Sequence, residues 1–280
     1  MKRLCLFMSA MMLALCASAQ MPEWRSQEVF SVNAQTQRTE LIFNESYVSL
    51  NGEWDFRYGD SECQLPDQWS SIKVPGNWEV QGFGVPVYVN HPYEFAPVNP
   101  RPPHLPEETP VGVYRRMFTI PQGWEGRQVY INLAGAKSGV YVYVNGSMVG
   151  YNEDSKNLAR FNITEYLRSG DNELEIRIFR YSTGSYLECM DFFRISGIER
   201  DVYLSSEKRD TRFDFNLIST LDESCTDGVF RLECTGNPEL RIPVSYRLVD
   251  KDGTVVLSGG AVMTDGHLDM EGVVDNVRQW

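Results

Sequence analysis

Long hydrophobic runs are scarce in this 280-residue chain. The longest one, Leu4 to Leu15, is far shorter than the ~20 apolar residues that a membrane-spanning helix needs. A Lys-Arg pair precedes this run and Ala17-Ser18-Ala19 follows it, a pattern typical of a secretory signal peptide cleaved before Gln20. We therefore predict that residues 1–19 are a signal peptide and that the mature protein is periplasmic or secreted.

Positive charge is also in short supply. The chain has 26 Lys and Arg against 38 Asp and Glu, for a formal net charge of −12. A surface of this sign argues against nucleic acid or an anionic membrane as the partner. The three histidines include His91 and His104, and neither has a second ligand at metal-binding spacing. We expect both to be solvated loop residues.

Cysteine is sparse as well, and two of the six cysteines fall in the predicted signal peptide. The other four are Cys63, Cys189, Cys225 and Cys234. They form no Cys-x-x-Cys pair and no disulfide framework. The sequence leaves one disulfide open, between the nearest pair of cysteines, Cys225 and Cys234.

Helical periodicity is nearly absent, and short strands separated by turns replace it. The run Tyr141 to Val144 meets Asn145-Gly146 and resumes at Ser147 to Tyr151, which predicts a β-hairpin. Apolar residues alternate with charged ones from Leu174 to Ile178, as expected for a half-buried strand. Together with 42% hydrophobic and 23% charged residues, this pattern indicates an all-β globular chain.

Two segments stand out from this pattern. Seven prolines lie between Pro92 and Pro110, which predicts an extended surface loop. Trp54, Trp69 and Trp78 lie close together in sequence. Aromatic residues at this density are typical of a sandwich core, although a sugar-stacking platform uses the same residue type.

The composition changes after about Leu204. We predict a second, smaller sandwich there, with four strands at Phe213 to Ser219, Gly228 to Leu232, Ile242 to Asp250 and Val255 to Val262. Asp252-Gly253 is its predicted hairpin turn. The segment is shorter than the ~100 residues of an immunoglobulin-like sandwich, so we expect this domain to be incomplete.

Six sequence blocks, in order along the chain, carry a family resemblance: "SLNGEWDFRY", "VPGNWEVQGFGVPVYVN", "PVGVYRRMFTIP", "VYVNGSMVGYNEDS", "FNITEYLRSGDNELEIRIFRYSTGSYLE" and "DFFRISGIERDVYL". They resemble the N-terminal part of bacterial β-galactosidases of glycoside hydrolase family 2. The resemblance implies an N-terminal extension at 20–48, a jelly-roll sugar-binding domain at 49–206 and an incomplete immunoglobulin-like domain at 207–280. The family's catalytic glutamates lie in a third domain, a (β/α)8 barrel, which these segments do not include.

The resemblance also implies two site residues. Asn90 matches an asparagine that reaches the galactose pocket, where its amide can donate to and accept from hydroxyls. Asp191 matches an aspartate that contacts galactose hydroxyls and helps to bind a monovalent cation. From the residues alone, Asn90 is equally well explained as a turn residue before His91-Pro92.

Asp191 also has a structural alternative. It lies among aromatic residues, and a buried charge needs a partner. An ion pair with Arg194 or Arg200 would supply one. In that interpretation Arg194, Arg200 and Asp201 form an internal lattice of ion pairs, and Glu188 orients the loop that carries Asp191.

The expected function is therefore the sugar-binding portion of an enzyme that hydrolyses terminal non-reducing β-D-galactosides with retention. No catalytic residue and no cofactor are assigned to this chain, although Na⁺ and Mg²⁺ are compatible with a complete enzyme of the family. Expected partners are a β-galactoside oligosaccharide, a barrel portion supplied in trans, and further copies of the chain. The alternative is a free-standing carbohydrate-binding module without catalysis.

Overall fold

The computed structural model describes residues 21–37, 44–90, 93–209, 213–239 and 241–278. The predicted signal peptide and His91 lie outside these residues. The chain divides into two compact units, Met1–Ser206 and Glu207–Trp280. Each unit has its own hydrophobic core.

Short strands dominate the first unit. In chain order they are β1 Ser31–Val32, β2 Tyr47–Ser49, β3 Gly52–Gly59, β4 Ser70–Val74, β5 Gly76–Asn77, β6 Val87–Tyr88, β7 Val111–Thr119, β8 Gln128–Leu133, β9 Ala136–Lys137, β10 Gly139–Val144, β11 Ser147–Asn152, β12 Ala159–Asn162, β13 Asp171–Phe179, β14 Phe193–Arg194, β15 Gly197–Ile198 and β16 Val202–Glu207.

Helical structure within the described residues is confined to six 3-10 segments, at Glu23–Arg25, Asn44–Ser46, Glu62–Gln64, Glu79–Gln81, Thr164–Tyr166 and Thr183–Tyr186. In the same residues, no helix has the length and apolar character needed to cross a membrane.

Two sheets form the sandwich of the first unit. One is a seven-stranded antiparallel sheet in the order β1-β11-β10-β13-β7-β3-β4, and the other is a four-stranded sheet in the order β12-β8-β16-β2. Side chains from both sheets share one buried cluster, including Phe56, Ile131, Val142, Phe161 and Ile176. The all-β sandwich prediction is confirmed.

The predicted local patterns place two strands of this sandwich correctly. Asn145 and Gly146 join β10 to β11 with φ of 54° and 80°, the left-handed backbone that a type I′ hairpin turn requires. Along β13, Leu174, Ile176 and Ile178 are fully buried while the residues between them are partly exposed. The alternation seen in the sequence therefore marks the core face of the strand.

The five tryptophans in the described residues are structural. Four of them are buried: Trp24, Trp54, Trp78 and Trp124. The guanidinium groups of Arg57 and Arg115 each lie 4.0 Å from the ring centroid of Trp69. The interpretation of these rings as core and sandwich edge is confirmed, and none of the five is left as an open sugar-stacking surface.

The second unit contains β17 Phe213–Leu221, β18 Gly228–Gly236, β19 Ile242–Val249, β20 Val255–Met263 and β21 His267–Val274. They pair as β17-β18-β21 and β19-β20. The turn containing Asp252 and Gly253 joins β19 to β20 as predicted. β21 was not predicted, and it supplies Met270 to the core of this unit.

No disulfide joins Cys225 to Cys234. Cys225 precedes β18, whereas Cys234 is buried near the far end of that strand. At ~3.3 Å per residue, the six residue-to-residue steps from Gly228 to Cys234 already span about 20 Å. Disulfide-bonded residues need Cα atoms within ~7 Å of each other, so the open disulfide pairing is ruled out by strand geometry.

Candidate functional site

Asp191 lies on the loop between the 3-10 segment Thr183–Tyr186 and strand β14, and its side chain is exposed. The segment is fixed at its start by a capping box between Ser182 and Ser185. Two tight turns then follow, in which the Met190 amide donates to Glu188 O and the Phe192 amide to Met190 O, at 2.9 and 3.0 Å. The loop is therefore ordered by its own backbone.

Asp191 and Asn90 flank a small two-stranded ribbon. In this ribbon β6 pairs antiparallel with β14, with Tyr88 opposite Phe193 and Val87 opposite Arg194. Asn90 follows Tyr88 by two residues, and Asp191 precedes Phe193 by two residues. The two predicted site residues therefore lie beyond the same end of the ribbon.

The outer face of the ribbon is aromatic and open. The ring centroids of Tyr88 and Phe193 are 5.3 Å apart, and the two side chains are 58% and 60% exposed. The Tyr88 hydroxyl hydrogen-bonds to Asp191, and this bond, with the negative charge of Asp191, raises the pKa of Tyr88. Asp191 thus has a neutral hydroxyl as its neighbour.

The inner face of the ribbon is held by buried charges. Arg194 is 2% exposed, and its Nε lies 3.6 Å from Glu94 Oε2. Arg180 donates to Arg194 O and to Glu79 Oε1, both at 3.0 Å. Because breaking a buried ion pair costs about 3–5 kcal/mol, this network fixes the position of the ribbon strongly.

The competing interpretation of Asp191 as an arginine-paired residue does not match this arrangement. The Arg194 guanidinium faces Glu94, and that of Arg200 lies against the backbone of Gly135. Asp201 accepts a hydrogen bond from Asn51 at 2.9 Å. The expected lattice of Arg194, Arg200 and Asp201 is thus replaced by separate partners for each residue.

Glu188 and Lys137 lie behind the Asp191 loop. Glu188 Oε1 accepts from the Ser155 amide at 2.9 Å, while its Oε2 is buried without a partner among the described residues. Burial raises the pKa of Glu188 and lowers that of Lys137. The two side chains line a cavity of about 10 Å³ with Glu94, Cys189 and Arg194, which is room for at most one water.

Phe192 ties this cavity to the loop. Its ring lies under three cations, with Lys137 Nζ at 4.5 Å, Arg194 Cζ at 4.7 Å and Lys156 Nζ at 5.4 Å from the ring centroid. Each contact of this kind contributes about 0.5–2 kcal/mol, with the larger values at desolvated sites. The residue next to Asp191 is therefore an anchor, and Asp191 itself is left facing outward.

Metal ligands are not clustered in the described part of the chain: no group of three or more His, Cys, Asp or Glu side chains is arranged to hold an ion. His104 is exposed, with Nδ1 2.9 Å from Arg101 O. Asp191 contributes one surface carboxylate. Among the described residues, no neighbouring acidic or histidine side chains complete a cation site around Asp191. Cation binding there stays a prediction of the resemblance.

The sequence profile described as "Glycosyl hydrolases family 2, sugar binding domain" matches residues 47–207. The chain belongs to glycoside hydrolase family 2. The match covers the sandwich from β2 onward and the ribbon with both Asn90 and Asp191, and it confirms the resemblance noted from the sequence blocks.

Curated relatives of this chain include beta-galactosidases. That of Priestia megaterium is 37% identical over 234 residues, covering 74% of this chain and 23% of the relative. That of Halalkalibacterium halodurans is 32% identical over 282 residues, covering 91% of this chain and 28% of the relative. The chain thus spans about a quarter of the length of these relatives.

Solved family 2 structures share the fold. The Bifidobacterium dentium beta-glucuronidase complexed with coumarin-3-O-glucuronide matches with a TM-score of 0.64 at 18% identity, covering 85% of this chain and 43% of that chain. The FMN-binding beta-glucuronidase of Facaelibacterium prausnitzii L2-6 gives 0.63 at 24% identity, covering 84% and 34%. Similarity at this level supports the architecture alone.

Proposed function

We propose that this chain is the N-terminal sugar-binding portion of a β-galactosidase that hydrolyses terminal non-reducing β-D-galactosides with retention. One observation carries the proposal: within a family 2 sugar-binding domain, Asn90 and Asp191 flank the same end of an exposed ribbon. An amide and an ionised carboxylate together can donate to and accept from neighbouring hydroxyls. This pair is suited to a sugar.

Under this proposal the chemistry belongs to polypeptide outside these 280 residues. Retaining hydrolysis needs two carboxyl groups about 5 Å apart, one as nucleophile and one as acid and base. We assign both to a barrel supplied in the same protein or in trans, so the chain alone is inactive. In this proposal the complete enzyme binds Na⁺ at Asp191 and also binds Mg²⁺. The enzyme is periplasmic or secreted, and it forms oligomers.

The alternative is a free-standing carbohydrate-binding module that uses the same residues without catalysis. Binding of a sugar at the ribbon fits both functions. The DNA downstream of the codon for Trp280 separates them: an open frame encoding a barrel directly after that codon supports the enzyme, and a stop codon without a barrel gene nearby supports the module.

Sugar binding is tested by titrating the 280-residue chain with methyl β-D-galactoside in a calorimeter. We expect Asp191→Asn to weaken binding by about tenfold or more, because charge-assisted hydrogen bonds contribute about 1.5–3 kcal/mol. The matched control is Asp67→Asn, another exposed aspartate of the first unit, which should leave affinity unchanged. Equal affinity for wild type and Asp191→Asn would refute the assignment of Asp191.

A further inference from the structure

The cavity behind the Asp191 loop is lined almost entirely by polar and charged groups. Glu94, Lys137, Glu188 and Arg194 all contribute to its wall. Lys137 is 7% exposed and Arg194 is 2% exposed. The volume of about 10 Å³ is close to that of one water-sized sphere. The cavity is therefore a closed polar chamber of molecular size, and an apolar occupant does not suit it.

Two atoms of this wall have an unused hydrogen-bonding capacity. Glu188 Oε2 and Arg194 Nε are both buried, and neither has a hydrogen-bond partner among the described residues. Arg194 Nε lies 3.6 Å from Glu94 Oε2, which is beyond the 2.7–3.2 Å range of a direct N–H···O bond. A polar contact of that length is commonly completed by a bridging water. Because unpaired buried polar groups are costly, an occupant that pairs with both atoms stabilises the fold.

The chemistry of the wall restricts what that occupant is. It has to accept from the N–H of Arg194 and to donate to the carboxylate oxygens of Glu94 and Glu188. A metal cation cannot accept from an N–H group, and a simple anion such as chloride cannot donate to a carboxylate. A water molecule does both, and buried waters typically make about three hydrogen bonds. Water also fits the volume.

We propose that this cavity is an internal hydration site, in which one ordered water accepts from Arg194 Nε–H and donates to Glu188 Oε2 and Glu94 Oε2. The water joins three segments that are distant along the chain or separated by a turn. Glu188 belongs to the Asp191 loop, Arg194 to strand β14, and Glu94 to the proline-rich segment. It is thus a structural link between the loop and the ribbon, and it does not depend on which ligand the ribbon binds.

A high-resolution crystal structure of the 280-residue chain tests the site directly. We expect one ordered water oxygen within about 3.2 Å of Arg194 Nε and of Glu188 Oε2, with Glu94 Oε2 as its third partner. A cavity without electron density would overturn the proposal. A metal ion or chloride in its place would do the same, as would direct hydrogen bonds from Arg194 Nε to either carboxylate.

Two variants of Glu188 form a matched pair for a solution measurement. Glu188→Gln keeps an oxygen for the Ser155 amide and a polar group facing the water, whereas Glu188→Met has nearly the same volume and no hydrogen-bonding group of that kind. The readout is the nuclear Overhauser cross-peak between water and the Arg194 Nε–H proton. We expect this cross-peak in wild type and in Glu188→Gln, and its loss in Glu188→Met.

Retention of the cross-peak at full intensity in a folded Glu188→Met chain would contradict the bridging role of Glu188. Its absence from folded wild type would refute the hydration site as a whole. The wild-type measurement decides the question by itself if Glu188→Met does not fold.

Discussion

Burial favours the uncharged forms of two side chains behind the Asp191 loop. Burial raises the pKa of Glu188 and lowers that of Lys137. The hydrogen bond from the Ser155 amide and the charge of Lys137 oppose the shift at Glu188, and Asp154 adds to it. Glu188 keeps one carboxylate oxygen buried without a partner in the described residues, which explains the direction of the net shift.

The pH dependence of stability follows from that shift. A carboxyl group whose pKa is higher in the folded state binds its proton more tightly there. Its contribution to stability is therefore present below the ordinary value of 4.5 and is lost as pH rises through the folded-state pKa. As pH rises above 4.5, we expect the free energy of unfolding to fall less for Glu188→Gln than for wild type. At pH 7 we expect the variant to be more stable than wild type by about 1 kcal/mol.

Urea unfolding at a series of pH values measures this effect. Glu108→Gln is the control, because Glu108 is exposed. Parallel profiles for wild type and Glu188→Gln would show that the buried carboxyl group does not titrate differently on folding.

Elements with a clear sequence pattern could be predicted, and those made by tertiary contact could not. The β10–β11 hairpin and the alternating strand β13 follow from Asn145-Gly146 and from period-two burial. The ribbon of β6 and β14 has two residues per strand, too few for any period. The ribbon is held by the buried Arg180 and Arg194; the sequence predicted other partners for Arg194 and made no prediction for Arg180.

The candidate site shows the same division. Asn90 and Asp191 were identified through the family blocks. From the residues alone, turn chemistry explains Asn90 equally well, and an ion pair with arginine is the better explanation of Asp191. β21 was missed although Leu268 and Met270 alternate with acidic residues, because so short an alternation is a weak signal. The tryptophans, whose residue type is also that of a sugar-stacking platform, lie in the core and at the sandwich edge.

Strand β17 of the second unit carries an uncovered apolar face. Phe215 and Leu217 pair with Cys234 and Leu232, which are buried, so all four lie on the core side of the sheet. Phe215 and Leu217 are nevertheless 54% and 53% exposed. Such a face next to a strand edge favours association.

We therefore expect the chain to self-associate with rising concentration, and Leu217→Lys to reduce this association. Sedimentation velocity over a range of concentrations measures it. Met117→Lys is the control, since Met117 is equally exposed, at 56%, but belongs to the first unit. A wild type that stays monomeric at the highest concentration would contradict the expectation.

At the scale of the whole molecule, we propose that the chain contributes binding geometry to a larger enzyme. Its first unit matches the sugar-binding domain of glycoside hydrolase family 2, and the chain covers 23% and 28% of two beta-galactosidase relatives. The buried Glu79–Arg180 pair and the Glu94–Arg194 contact hold the ribbon of β6 and β14 in position. In our account, sugar hydroxyls are the partners that the exposed carboxylate of Asp191 binds.

The most direct test is a crystal structure of the chain soaked with methyl β-D-galactoside. We predict sugar hydroxyls within about 3 Å of Asp191 and Asn90. A sugar bound elsewhere on the chain, or an Asp191 side chain turned away into an ion pair with arginine, would contradict the account.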